Sequence, residues 1–415
     1  MRLRRPSPRG ILKRALTALL SAQFLIVVAL MVTTKVRKLM RGKDGGTFPV
    51  TAPAPIGIGA GNTATAFTYG SDLYEDMLEA IGNARERILF ETYIFKGDAM
   101  GRRFKQALID AADRGVDVYV IYDGFANLVV TPSFLRFPAP IHVLRYPVFA
   151  TGWRFFSPRK MGREHRKVLV VDDKVAYVGG YNVGSLYASE WRDTHLKIEG
   201  PSVWDLDNAF VDFWNLRRGK NARILKERGD ASWEPQIRAH RNVPMQLLFP
   251  IRGMYIEAID RARDHIYITA AYFIPDRDIL QGLLDAAARG VRVRILVPEV
   301  SNHVVADWLS RGFYSQLLDG GVEILLYQDW MMHAKTATID GRWTTIGTAN
   351  IDRLSLTGNY EINLEILDDA LATHLEKVFE ADASNARVLT RAEWTSRPFV
   401  AKACEWILAP LRPLL

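Results

Sequence analysis

His165-Arg166-Lys167-Val168-Leu169-Val170-Val171-Asp172, followed six residues later by Gly179-Gly180, returns in the same chain as His333-Ala334-Lys335-Thr336-Ala337-Thr338-Ile339-Asp340, followed six residues later by Gly347-Thr348. The chain has only eight histidines, and two of them head identical His-x-Lys-x4-Asp-x6-Gly spacings, one in each half of the sequence. The register continues beyond the glycines. Asn182 follows His165 at the same interval at which Asn350 follows His333, and Asp193 and Glu361 keep step with the two histidines in the same way.

The surroundings are duplicated too. Ala112-Asp113-Arg114-Gly115-Val116-Asp117-Val118 in the first half aligns with Ala287-Ala288-Arg289-Gly290-Val291-Arg292-Val293 in the second. Each time a helix running to an Arg-Gly leads into a β-branched strand, and an apolar strand precedes the helix: Ile88 to Phe95 in one copy, Asp264 to Thr269 in the other. Strand, helix, strand predicts a crossover unit in a parallel or mixed sheet. The fold class is therefore α/β, built as an internal duplication of a unit of roughly 170 residues.

In a strand, side chains alternate, so His165 and Lys167 share one face, as do His333 and Lys335. Each pair can address one anion. An imidazole beside an ammonium and an Asn amide suits phosphate: the Lys neutralises oxyanion charge, Asn182 or Asn350 donates hydrogen bonds, and the His can attack phosphorus. Two copies related by a pseudo-twofold axis would set two histidines on opposite sides of one phosphorus, one attacking in line and the other protonating the leaving oxygen. Asp193 and Glu361 are read as carboxylates orienting a histidine through its second ring nitrogen. Asp172 and Asp340 are read with the catalytic set, the alternative being residues of a strand-end turn. No metal ligand pattern accompanies either histidine, so no metal and no cofactor is expected.

Charge narrows the phosphodiester. The formal net charge is +8, but residues 1–43 hold eleven Lys or Arg and no acid. The remainder carries 43 basic against 46 acidic side chains, a net of −3, which argues against a nucleic-acid partner. The single Cys404 excludes an internal disulfide. Between the basic flanks, Ala15 to Thr34 is an uncharged run of twenty residues, enough helix to cross a bilayer core. Residues 1–43 are thus predicted as a transmembrane anchor. Six basic residues precede the run and five follow it, a near tie for orientation. Residues 44–65, rich in Gly, Pro, Ala and Thr, read as a linker. Aromatic stretches precede both histidines, Tyr146 to Phe156 and Tyr327 to Met332, and the C-terminal Phe399 to Leu408 reads as an interfacial helix or one docked on the body.

These residues carry a resemblance. The duplicated His-x-Lys-x4-Asp-x6-Gly is similar to the HKD signature of the phospholipase D superfamily. Trp191-Arg192-Asp193-Thr194-His195, Ala270-Ala271-Tyr272-Phe273-Ile274-Pro275, Gly347-Thr348-Ala349-Asn350-Ile351-Asp352 and Asn359-Tyr360-Glu361-Ile362-Asn363 narrow it to the bacterial cardiolipin synthases. Glu164, Ala271 and Leu354 depart from that family's usual text.

The resemblance implies two α/β/α domains with mixed sheets after an N-terminal transmembrane helix. They are expected at residues 66–240 (HKD motif 165–180) and 241–415 (HKD motif 333–348). It implies transphosphatidylation: a phosphatidyl group passes from phosphatidylglycerol to His165, glycerol leaves, and a second phospholipid accepts it while His333 serves as acid and then base. Symmetry would allow the reverse assignment. A phosphodiesterase using water, or a nuclease of the same superfamily, are the alternatives. The expected setting is the cell membrane, with phospholipid substrates and a cytoplasmic body.

Overall fold

A computed structural model describes residues 8–40, 47–59, 61–148, 162–226 and 236–414. The basic residues before Pro8 and from Arg41 to Lys43, and the aromatic stretch from Phe149 to Phe156, lie outside the described residues.

Two eight-stranded mixed sheets carry the chain. In the first, the central order is His195–Glu199, Val175–Gly179, Val168–Val171, Arg87–Thr92, Asp117–Asp123, Ile141–Tyr146; in the second it is Glu361–Leu367, Trp343–Gly347, Lys335–Ile339, His265–Ala270, Arg292–Pro298, Glu323–Tyr327. The orders correspond strand for strand. In each of these central sets the last three strands run parallel and the others pair antiparallel. The crossover helices Ala99–Asp113 and Arg277–Ala288 begin on Asp98 and Asp276, whose carboxylates accept N–H groups of the first turn. Both helices end before a glycine in the left-handed region, Gly115 (φ 92°) and Gly290 (φ 93°), which explains the duplicated Arg-Gly.

One core joins the halves. The helix Val203–Arg217 buries Leu206, Phe210, Phe213 and Trp214 together with Ile346, Tyr360, Ile362, Leu364 and Ile366 of the second sheet. The halves also pair by backbone. Met331–Met332 runs parallel to Trp191–Arg192, and an equivalent bridge links Glu164 to Tyr360. These two short pairings determine what meets at the site.

The stretch predicted as a linker is in fact docked. Phe48 is buried against Tyr69, Tyr267 and Trp330, Thr51 exchanges hydrogen bonds with Thr68, and Pro55–Ile58 and Asn62–Phe67 form a hairpin on the edge of the first sheet. The glycines that suggested freedom instead turn a hairpin: Gly61 sits at φ 77°. Buried Ile58 and Ala64 supply the hydrophobic contact that a free linker lacks.

Pro8–Met40 is a single helix, and Leu12–Val36 within it is long and apolar enough to cross a membrane, with little of it covered by protein. This is consistent with a membrane anchor. Its one buried polar side chain among the described residues, Gln23, donates from Nε2 to the Ile407 carbonyl at 2.9 Å. Ile26, Val27 and Leu30 pack near Ile274, Ala306, Leu309 and Leu408, so the C-terminal helix Phe399–Leu408 docks on both the body and the N-terminal helix.

Candidate active site

His165 and Lys167 lead into the strand Val168–Val171, and His333 and Lys335 stand at the start of Lys335–Ile339. The next residues, Val168 to Val171 and Ala337 to Ile339, are buried, which anchors each strand while its leading end faces the seam. The His165 N–H donates to the Tyr360 carbonyl at 3.1 Å and the His333 N–H to the Arg192 carbonyl at 2.7 Å. Each histidine backbone is therefore tied to the residue just before the other half's carboxylate.

The consequence is an exchange. His165 Nδ1 lies 2.9 Å from Glu361 Oε2, and His333 Nδ1 lies 2.6 Å from Asp193 Oδ2. Each carboxylate orients the histidine of the opposite half. The neutral ring is assigned to donate from Nδ1 to its carboxylate, leaving Nε2 as the lone-pair nitrogen. Lys167 Nζ donates to the His165 carbonyl at 2.7 Å, and Lys335 Nζ reaches the His333 carbonyl and lies 2.9 Å from His333 Nδ1.

The electrostatics belong to one site. Burial pushes both imidazoles below their usual value, His333 to about 3, and each ring also feels both lysines. Burial lowers Lys167 to about 7 and Lys335 to about 8. The two carboxyls differ. Burial raises Glu361 to about 7 against the pull of Lys167. Burial acts the same way on Asp193, but the Lys335 ammonium and the His333 contact outweigh it and hold that carboxyl below its usual range.

Asn182 and Asn350 are both buried behind the glycine turns; Asn182 Oδ1 accepts from the Ile94 N–H at 3.1 Å, and Asn350 Oδ1 has no partner among the described residues. Glu164 is buried and accepts from Arg166, which also reaches Glu91 at 2.7 Å, a charged cluster on the face of the strand opposite Lys167. Among the described residues, no group of three or more His, Cys, Asp or Glu could hold a metal ion.

Asp172 and Asp340 do not join this site. They stand beyond the far end of their strands, roughly seven residues or ~23 Å of extended chain from the histidines. Asp172 accepts the N–H groups of Arg85, Glu86 and Arg87 at 2.8 to 3.0 Å; Asp340 does the same for Arg263, Asp264 and His265. Both sit at positive φ, 51° and 54°, in the turn to the next strand. An Asp tolerates that conformation and satisfies three donors, so its recurrence in the repeat reflects the fold and not the chemistry.

Several neighbours were not read from the sequence. The rings of Tyr93 and Trp191 lie 4.6 and 4.8 Å from those of His165 and His333, and Tyr272 lies 6.4 Å from His333. Thr348 Oγ1 donates to Glu361 Oε2 at 2.5 Å. Buried Arg192 makes a two-pronged ion pair with Asp382 at 2.8 and 2.7 Å and also reaches the Asp193 carbonyl. Of these, Trp191, Arg192 and Thr348 had a visible signal, since each occupies a repeat position where the other copy differs: Asn359, Tyr360 and Gly180.

Residues 77–214 and 255–383 match the family described as cardiolipin synthase, phospholipase D-like domain. The chain belongs to that family. It is 31% identical over 370 residues to the major cardiolipin synthase of Bacillus subtilis (strain 168), covering 85% of this chain and 76% of the relative. It is also 31% identical over 368 residues to a cardiolipin synthase of Staphylococcus aureus (strain Mu50), covering 85% and 74%. Its fold resembles that of phosphatidylserine synthase from Haemophilus influenzae Rd KW20, with a TM-score of 0.67 and 16% identity over 87% of this chain and 95% of that one. Family membership makes the chain a phosphatidyltransferase of the cardiolipin synthase type, with both histidine–carboxylate pairs in place.

Proposed function

We propose that the chain joins two phosphatidylglycerol molecules into cardiolipin and glycerol through a phosphohistidine. His165 Nε2 attacks the phosphorus of the first lipid, a P–N bond forms, the P–O bond to glycerol breaks, and His333 gives its Nε2 proton to the departing oxygen. A hydroxyl of the second lipid then loses its proton to His333 and attacks phosphorus, the new P–O bond forms, and the P–N bond breaks. Lys167 and Lys335, with Asn182 and Asn350, neutralise and hold the phosphoryl oxygens.

The observation that carries the reading is the exchange of carboxylates, which commits both Nδ1 atoms and leaves two Nε2 atoms for one phosphodiester. The order of roles is supported by the carboxyl contrast. Asp193, held ionised, favours the protonated ring of His333 against the burial that lowers it to about 3 without substrate, whereas Glu361, raised to about 7, gives the ring of His165 less such support. The aromatic rings of Tyr93, Trp191 and Tyr272 around the histidines favour a lipid hydroxyl over water as acceptor.

Purified full-length protein given phosphatidylglycerol vesicles in EDTA is expected to release one glycerol for each cardiolipin formed. Phosphatidic acid without cardiolipin would replace transfer by hydrolysis, and loss of activity in EDTA would overturn a mechanism without metal.

A further inference from the structure

We propose that the loop Phe125–Val129 is a membrane-seating element, which holds the mouth of the active site against a phospholipid surface opposite the N-terminal helix. The inference rests on the phospholipid-transfer reading and adds to it a second, specific point of contact.

The loop is tightly bound to the catalytic strand. Asp123 Oδ1 accepts the N–H groups of Phe125 and Ala126 at 2.8 and 2.9 Å, while Oδ2 accepts that of Glu164, the neighbour of His165, at 3.1 Å. The Asn127 side chain is buried; it donates to the carbonyls of Asp123 and Tyr93 and accepts from the Phe95 N–H. The N–H groups of Phe125, Ala126 and Leu128 are thus satisfied from within the protein, which lowers the cost of bringing the turn to a lipid interface. What remains outside is apolar: Phe125 is 50% exposed, Leu128 56% and Val129 82%. Polar side chains would serve such a turn equally well, so three large apolar ones call for a partner. The Arg163 guanidinium lies 5.5 Å from the Phe125 ring centroid and donates to the carbonyls of Pro147 and Val148. Apolar side chains with a cation beside them suit a leaflet, which offers acyl chains and phosphates together.

The internal repeat says which partner. Asp117–Asp123 corresponds to Arg292–Pro298, so this loop holds in the first half the place taken in the second by the segment leading to the helix Val304–Asp319. That segment also borders a histidine: Tyr272, near His333, donates to Asn302 Oδ1 at 2.6 Å. The helix Val304–Asp319, with Ile274 just beyond Tyr272, receives Ile26, Val27 and Leu30 of the membrane-length helix, and beside it the C-terminal helix exposes Phe399, Val400 and Trp406. One rim of the mouth therefore carries a membrane-length helix and exposed apolar side chains. The equivalent rim carries Phe125, Leu128 and Val129. A bilayer leaflet touching both would meet the two histidines between its contacts.

The test uses the full chain in vesicles of phosphatidylglycerol and phosphatidylethanolamine, with Cys404→Ser and one new cysteine carrying an environment-sensitive fluorophore. Leu25→Cys reports the helix, Val129→Cys the loop, and Val388→Cys an exposed position on the edge strand of the second sheet. Acyl-brominated lipids are expected to quench the label at positions 25 and 129 and not at 388. Quenching at 25 with none at 129 would overturn the inference alone; no quenching at either would overturn the membrane reading beneath it. As an independent readout, Leu128→Asp with Val129→Asp is expected to raise the vesicle concentration at half-maximal rate by ~10-fold or more with kcat retained, because two apolar side chains no longer leave water. An unchanged half-saturation would also overturn it.

Discussion

The two histidine–carboxylate pairs are related by the repeat, yet they are not equivalent. Around His165 the carboxyl is Glu361, one methylene longer, with Thr348 donating to it. Around His333 it is Asp193, and the position equivalent to Thr348 is Gly180, where a Cβ would come within 2.1 Å of Asp193 Oδ1. A threonine there would expel the carboxylate from its place, so the glycine is a steric requirement of the shorter acid. Asp193 is instead framed by the Thr194 N–H at 2.7 Å and the Lys335 ammonium, and it stays ionised, whereas Glu361 is raised to about 7. A duplicated frame thus holds two different acid–base partners. That difference suits the proposed two-step transfer, in which one imidazole acts as nucleophile and the other as acid.

The strongest way to break this contrast is to remove each ring. His165→Ala and His333→Ala are each expected to lower cardiolipin formation by ~10³-fold or more. With a phosphatidyl ester of p-nitrophenol, whose leaving group needs no proton, they should separate. His333→Ala would release one equivalent of nitrophenolate and keep the phosphatidyl group on the protein, and His165→Ala would give no burst. The opposite pattern would exchange the two roles.

Substituting the carboxyls should sharpen it. Asp193→Asn is expected to cost ~100-fold in kcat and Glu361→Gln ~10-fold, within the range for residues that orient a reacting group. The pH profile distinguishes them further. Glu361 loses its charge as pH falls through about 7, and Lys167 loses its charge as pH rises through about 7. The kcat/KM profile is therefore expected to be a narrow bell near neutrality, its limbs belonging to the coupled cluster. Glu361→Gln should remove the acid limb, and Asp193→Asn should leave it. An acid limb that survives Glu361→Gln would assign it to another group.

The smallest effect on turnover is expected at the other end of the strands. Asp172→Ala and Asp340→Ala should leave kcat unchanged and lower unfolding stability by ~2 kcal/mol each, because three N–H groups lose a charged acceptor. The folded-state value of Asp172 is depressed by those three N–H groups, which outweigh its partial burial. Its contribution is therefore complete above the unfolded carboxyl value and fades as pH falls through the folded one, so wild type and Asp172→Ala should converge in acid urea titrations. A loss of kcat without loss of stability would return these residues to the chemistry.

The sequence reading was surest where a residue's partner lies close along the chain. The crossover units, the shared face of His and Lys, and the membrane-length helix all follow from the periodicities of strand and helix or from the length of an apolar run. It went astray in two places for one reason. Gly59, Gly61 and the prolines before them signal a break in regular structure, but a free linker and an edge hairpin use the same residues. Likewise, Asp172 recurs in register with His165, but recurrence shows only that both copies need it. The three backbone donors it serves are 85 to 87 positions away and come together with it only through strand pairing.

By itself, the sequence determined the duplication, the α/β character of each half, the recurrence of His, Lys and Asn in register, and the presence of a helix that can span a membrane. Only the tertiary structure decided which carboxylate serves which histidine. Along the chain Asp193 stands far closer to His165 than to His333, which is 140 positions away, and proximity favours the near partner. The far one is right because Met331–Met332 pairs with Trp191–Arg192 and Glu164 bridges to Tyr360 across the seam. Backbone hydrogen bonds between halves, which leave no mark in either local pattern, carry each acid across to the opposite ring.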